Sequence, residues 1–127
     1  MPMDLYTACA LGDYECVRAL LAGGQPLDRH NAEGWTPLLY SAYVGHDNIV
    51  NMLLESGRCD VNAAARDGTS ALMVACLSDN ESIVYFLLQH GARVDMRDAT
   101  GRTALLMAAA KGQLVSRRRH PKRERER

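Results

Sequence analysis

The chain has 127 residues, with fifteen Lys or Arg against fifteen Asp or Glu, long enough for one domain. The overall neutrality hides two objects: residues 116–127 carry seven basic side chains and two Glu, a net of +5, while residues 1–115 carry eight basic and thirteen acidic, a net of −5. The opening MPMDLYTACALGD lacks a basic leader and a long apolar run, which excludes a secretory signal or membrane span as the expectation and leaves a cytoplasmic or nuclear chain.

The first predicted elements are a short helix from Leu5 through Ala8 and Cys9 to Gly12, with Asp4 as its cap. A second helix follows, carrying Val17, Leu20 and Leu21 and stopping before Gly24. The next stretch restarts the same phrase with a leading turn. Gly34 supplies positive φ, Thr36 caps, and Pro37 sits in the first helical turn, where its missing N–H costs nothing. Leu38, Leu39, Ser41 and Ala42 build that helix and Gly45 ends it. His46 and Asp47 open the turn to a helix bearing Ile49, Val50, Leu53 and Leu54, which Gly57 stops. A third pair repeats the pattern with Ser70, Ala71, Leu72, Ala75 and Cys76, then Ile83, Val84, Leu87 and Leu88 before Gly91. Asp79 and Asn80 stand where Gly-His stood before, and both residue types tolerate left-handed backbone. A lone helix from Thr103 to Lys111 begins a fourth unit.

Gly34, Gly68 and Gly101 head these phrases at steps of 34 and 33 residues, one extra residue in the 57–68 loop accounting for the longer step. A period of this size marks supersecondary units that bury their apolar faces only against neighbours. Tyr40, Val74 and Met107 share one column, expected to be core. The fourth unit then fails. Ser116, Arg117, His120 and Pro121 fall in the columns held earlier by Ile, Val and Leu. An unpaired buried Arg costs several kcal/mol, and each lost branched or leucine side chain forfeits about 1.5–3 kcal/mol. The expectation is a frayed fourth unit with an uncovered apolar flank, hence self-association through that end and a truncated or alternatively ended form of a longer array.

GWTPLLYSAYVGHDNIVNMLLESG, FLLQHGARVD and GRTALLMAAAKG resemble the ankyrin repeat over residues 4 to 113. The resemblance implies an all-α solenoid of stacked helix-turn-helix units with β-turn, hairpin-like loops. Its domain is expected over 1–115, in units of about 1–31, 32–65, 66–98 and a partial 99–115, with a basic, disordered tail over 116–127. GWTPLLYSAYVGHDNIV and NESIVYFLLQHGA are similar to the ankyrin blocks of SAM-domain-containing scaffolds, which implies a cytoplasmic, cilium-associated adaptor with protein partners, SAM-type scaffolds among them. Ankyrin arrays engage partners with turn tips and the exposed end of each first helix, on a concave face. Position by position this implies Ala32, Glu33, Trp35, Tyr43 and Val44 in the second unit. It implies Arg66, Asp67, Thr69, Leu77 and Ser78 in the third, and Ala99, Thr100, Arg102 and Lys111 in the fourth. Trp35 is the sharpest, being the only Trp and at a tip that packing does not need. Against it stands a plainer reading, in which Trp35 and Tyr43 simply cover one another.

Chemistry-bearing patterns are missing from the sequence. No carboxylate pair, phosphate loop or nucleophile–base arrangement emerges, so no enzyme, cofactor, metal site or small-molecule substrate is expected. Cys9, Cys16, Cys59 and Cys76 form no CxxC pair and read as reduced, packed thiols. The tail has three readings: a solvated end, a nuclear-import or nucleic-acid patch through Arg117, Arg118, Arg119, Lys122 and Arg123, or a strap drawn back to the acidic body. The nucleic-acid reading lacks aromatic residues to stack on bases, so such binding would be purely electrostatic and salt-sensitive.

Overall fold

A computed structural model describes residues 4–24 and 26–110. Helix α1 spans Leu5–Leu11 because Asp4 accepts the Thr7 amide at its start and Gly12, at φ 76°, turns the chain out of it. Asp13 then accepts the Cys16 amide and starts α2, Tyr14–Ala22. Thr36 caps α3, Pro37–Val44, whose Pro37 occupies the first turn, and Gly45 ends it in left-handed backbone. Helix α4, Asp47–Glu55, follows His46 and ends at Ser56. Ser70 caps α5, Ala71–Leu77, and Asn80 caps α6, Glu81–Gln89. A seventh helix, α7, covers 104–110.

The helices form two rows. The first helix of each pair packs on the first helix of the next, α1 on α3 and α3 on α5; the second helices do the same, α2 on α4 and α4 on α6. Small residues make the first row close: Ala8, Ser41 and Ala75 share one column, Cys9, Ala42 and Cys76 the next, and all six are buried. Ser41 satisfies its buried hydroxyl by donating to the Leu38 carbonyl at 3.1 Å. Val17, Ile49, Val50, Leu53, Ile83 and Leu87 complete the core from the second row. Transfer of such side chains from water, about 1.5–3 kcal/mol each, is available only in the stack, since no single pair of short helices can hide them.

Loops between units are tied across the stack. Asp28 accepts the Asp60 amide at 2.7 Å, and Asn62, in the same column one unit on, accepts the Arg93 amide at 2.8 Å. The His30 ring bonds the Ala64 carbonyl at 3.0 Å, and Arg58 donates to the Leu21 carbonyl at 2.8 Å. At the tips, single antiparallel bridges pair Ala64 with Ser70 and Arg97 with Thr103. These are the hairpin-like loops expected of the fold.

Val74 and Met107 are buried, as their column predicts, but Tyr40 is only half-buried. Its ring stays on the core while its hydroxyl reaches the turn tip, so the expectation of plain core is corrected there. Towards the end of the described stack Leu88, Val94, Leu105 and Leu106 are exposed. The expected failure of a second helix at 116–121 lies outside the described residues.

Candidate functional site

The turn tip of the second unit is built around Asn31. Its Oδ1 accepts the amides of Glu33 and Trp35 at 3.0 Å each, and its Nδ2 donates to the Tyr40 hydroxyl at 2.6 Å. Tyr40 in turn donates to Glu33 Oε1 at 3.1 Å. Trp35 is half-buried against this framework, its ring centroid 5.3 Å from Tyr40 and 5.6 Å from Tyr43, the latter edge-on. Tyr6 extends the cluster with an edge contact to Tyr40 and a hydrogen bond from its hydroxyl to the Arg29 carbonyl. Four aromatic rings from two units thus form a chain of contacts, Tyr6 on Tyr40, Tyr40 on Trp35 and Trp35 on Tyr43, and the last pair has the geometry of the plainer reading, in which Trp35 and Tyr43 cover one another. Such pairs contribute about 0.5–1.5 kcal/mol beyond area burial.

Three further tip residues are engaged inside the molecule. Arg66 donates to the Ala32 carbonyl at 2.6 Å, its stem lying over Gly34. Asp67 accepts the Thr69 amide through its side chain, and its backbone carbonyl accepts the Ala99 amide at 2.7 Å. Arg102 pairs with Asp98 at 2.9 Å, and Asp98 also accepts the amides of Thr100 and Arg102. Those bonds, with the Arg102 amide first, hold the Asp98 carboxyl down to about 2. The tips of successive units are thus bonded to one another and form a fixed edge.

Of the expected contact residues, those that are exposed and apolar lie mainly at the C-terminal ends of the first helices. Tyr43 and Val44 on α3 are 65% and 44% exposed, and Leu77 at the end of α5 is 39% exposed. The sequence reading missed Leu11 on α1, 65% exposed and in register with Val44. It was missed because the first unit lacks the leading turn from which positions were carried over; counting back from the helix-ending glycine, Gly12 against Gly45, would have found it. Ala32, Ser78, Ala99 and Thr100 are exposed as well. Lys111 and the tail residues Arg117, Arg118, Arg119, Lys122 and Arg123 lie outside the described residues.

The same end of the molecule is acidic. Segments 10–15, 43–48 and 77–82 carry Asp13, Glu15, Asp47, Asp79 and Glu81 and no Lys or Arg. Among the described residues no group of three His, Cys, Asp or Glu side chains converges to hold a metal ion. All four cysteines are free; burial pushes the Cys9 and Cys59 thiols up to about 12, which makes them packing groups rather than nucleophiles. No helix among the described residues is long and apolar enough to cross a membrane.

Comparison with known proteins agrees with this geometry. A family model of ankyrin repeats in three copies matches residues 5–65 and 57–117. Human Ankyrin repeat and SAM domain-containing protein 3 is 47% identical over 58 residues, covering 45% of this chain and 9% of that protein. A probable E3 ubiquitin-protein ligase of Oryza sativa subsp. japonica is 38% identical over 111 residues, 85% of this chain and 22% of its own. Mouse Ankyrin repeat and SAM domain-containing protein 6 is 37% identical over 103 residues, 80% of this chain and 12% of its own. The chain therefore spans less than a quarter of each of these relatives. Ankyrin repeats are protein–protein interaction modules without chemistry of their own. With stacked helix pairs, bonded turn tips and a matching model over more than half its length, the chain belongs to the ankyrin-repeat family.

Proposed function

We propose that this chain is a cytoplasmic adaptor that holds a partner protein on the exposed ends of its first helices, with Leu11, Tyr43, Val44 and Leu77 as the anchoring side chains. One observation carries the reading: three successive units expose apolar side chains at two adjacent positions at the end of the first helix, Leu11 in register with Val44 and Tyr43 in register with Leu77, while the columns beside them are buried. Solvent-facing apolar residues repeated from unit to unit cost solubility and bury little area in the stack, which is the usual mark of a contact surface. Glu33 and the acidic segments beside the row favour a partner that brings basic groups to its edge. Arg66, Asp67 and Arg102 act one step back, fixing the spacing of the tips. The same proposal covers a cilium-associated location and scaffold partners of the SAM-containing kind, carried by the likeness to those relatives.

Because Trp35 is packed, the decisive variant leaves it alone. The full chain carrying Tyr43→Ala and Leu77→Ala should keep its helical circular dichroism yet lose partners recovered by affinity purification from ciliated cells. Equal recovery by wild type and variant, with a Glu55→Ala control on the second row for comparison, would reject the surface. Imaging of the tagged full chain in the same cells tests the location.

A second reading rests on the basic run from Arg117 to Arg123, which would bring the chain to nucleic acid or the nucleus. Binding of that kind falls steeply with added salt and disappears when those arginines are neutralised; salt-insensitive partner capture excludes it.

A further inference from the structure

We propose that the open end of the stack is covered by the chain's own segment 114–123, with Leu114 and Val115 on an apolar floor and Arg117–Arg119 along an acidic edge. The floor is a groove of about 370 Å³ between α5, α6 and α7, to which Val84, Leu88 and Ala108 contribute, with Asp79 and Glu81 among its lining residues. It occupies the place where a further second-row helix would pack. Neither carboxylate has an ion-pair partner among the described residues.

Three observations choose this occupant. Ala108 lines the groove itself, so the chain leaves α7 beside it, and seven extended residues reach at most about 23 Å, ample for Arg117 to return to Glu81. The next apolar pair in the sequence is Leu114–Val115, followed after Ser116 by three arginines, the order that a floor beside an acidic edge requires. Charge separates in the same sense: residues 4–110 hold thirteen Asp or Glu and seven Arg, and residues 111–127 hold eight Lys or Arg and two Glu. A second copy seated on the groove would instead bring an identical acidic edge against this one. Pro121 opposes a docked helix, and an irregular strap needs none.

The test uses the full chain, in which Lys111 and Lys122 are the only lysines. Carbodiimide coupling of an equal mixture of light and isotope-heavy protein, read by mass spectrometry, should join Lys122 to Asp79 or Glu81 within one molecule and lose that product at high salt. In parallel, Arg117→Glu combined with Arg118→Glu and Arg119→Glu should speed amide exchange over residues 81–89 by roughly three- to tenfold, the reach of a few screened ion pairs. Unchanged exchange in that triple variant overturns the proposal, whatever the cross-links. Mixed light–heavy products at Asp79 or Glu81 overturn it in favour of a second copy, and Lys122 products spread evenly over Asp13, Asp47 and Glu55 overturn it in favour of unspecific attraction. Faster exchange without mixed or scattered products supports it.

Discussion

Arg66 reaches back one unit to the Ala32 carbonyl at 2.6 Å, and its stem covers Gly34 so closely that a Cβ there would lie 2.7 Å from Arg66 Cγ. One side chain thus joins two turn tips and explains, together with a φ of +84°, why the second tip is glycine. Arg66→Ala should cost about 0.5–1.5 kcal/mol, the net worth of one such bond, in a urea titration. Gly34→Ala should cost more than that, through the left-handed backbone and the displaced arginine together. If Gly34→Ala in an Arg66→Ala background costs as much as it does alone, the two residues are not coupled and the clamp is wrong.

Tyr40 links Asn31 to Glu33 at the same tip. Tyr40→Phe keeps the ring stack with Trp35 and removes both bonds, so stability should fall by about 0.5–1.5 kcal/mol. Trp35, the only tryptophan, reports it directly: the fluorescence unfolding midpoint should drop while the native emission maximum stays put. A shifted native spectrum would mean that the hydroxyl, rather than the ring, positions Trp35.

Much of this architecture was legible in the chain because its determinants are local and recur. Thr36 and Asp4 cap as their positions predict, and Asp79 takes left-handed backbone where earlier units use glycine. Bonds between units were not legible. Nothing in the residue types of Asp28 or Asn62 announces that each accepts an amide about one repeat away, because that amide's position depends on the finished stack. Trp35 illustrates the same limit for the site. A tip residue without a core column reads as free, yet Tyr40 and Tyr43 on α3 pack against it, and Tyr6 of the preceding unit packs on Tyr40.

Asp98 gives the stack an acid-sensitive joint. Its carboxyl is held down to about 2 by the Arg102 amide, the Thr100 hydroxyl and the Arg102 side chain, below the unfolded value near about 3.9. A folded-state value below the unfolded one contributes stability that is present above the unfolded value and fades as pH falls toward the folded one. Thermal melts should therefore show a stability loss between about pH 4 and about pH 2 to which Asp98 contributes. Asp98→Asn should melt lower at neutral pH and have a shallower acid limb, because the group that titrates is gone. An acid limb as steep as that of wild type would assign the loss to other carboxylates, Asp67 and Asp95 first, whose bonds also lower them.

Asp79 carries strain that its counterparts do not. It has φ 56°, the only non-glycine residue at positive φ among the described residues, in the position that Gly12 and Gly45 occupy at 76° and 92°. Left-handed backbone costs a side-chain-bearing residue about 1–2 kcal/mol, less for Asp, which visits this region more readily than most. Asp79→Gly removes the strain but gives the unfolded chain more freedom, so the net gain should be about 0.5 kcal/mol. Asp79→Val should move the other way by about 1–2 kcal/mol, since a β-branched residue is poorly tolerated there. Urea midpoints at high salt, where the charge of Asp79 counts least, isolate the backbone effect. A midpoint for Asp79→Gly below that of wild type under those conditions would mean that the aspartate stabilises this turn more than its backbone strains it.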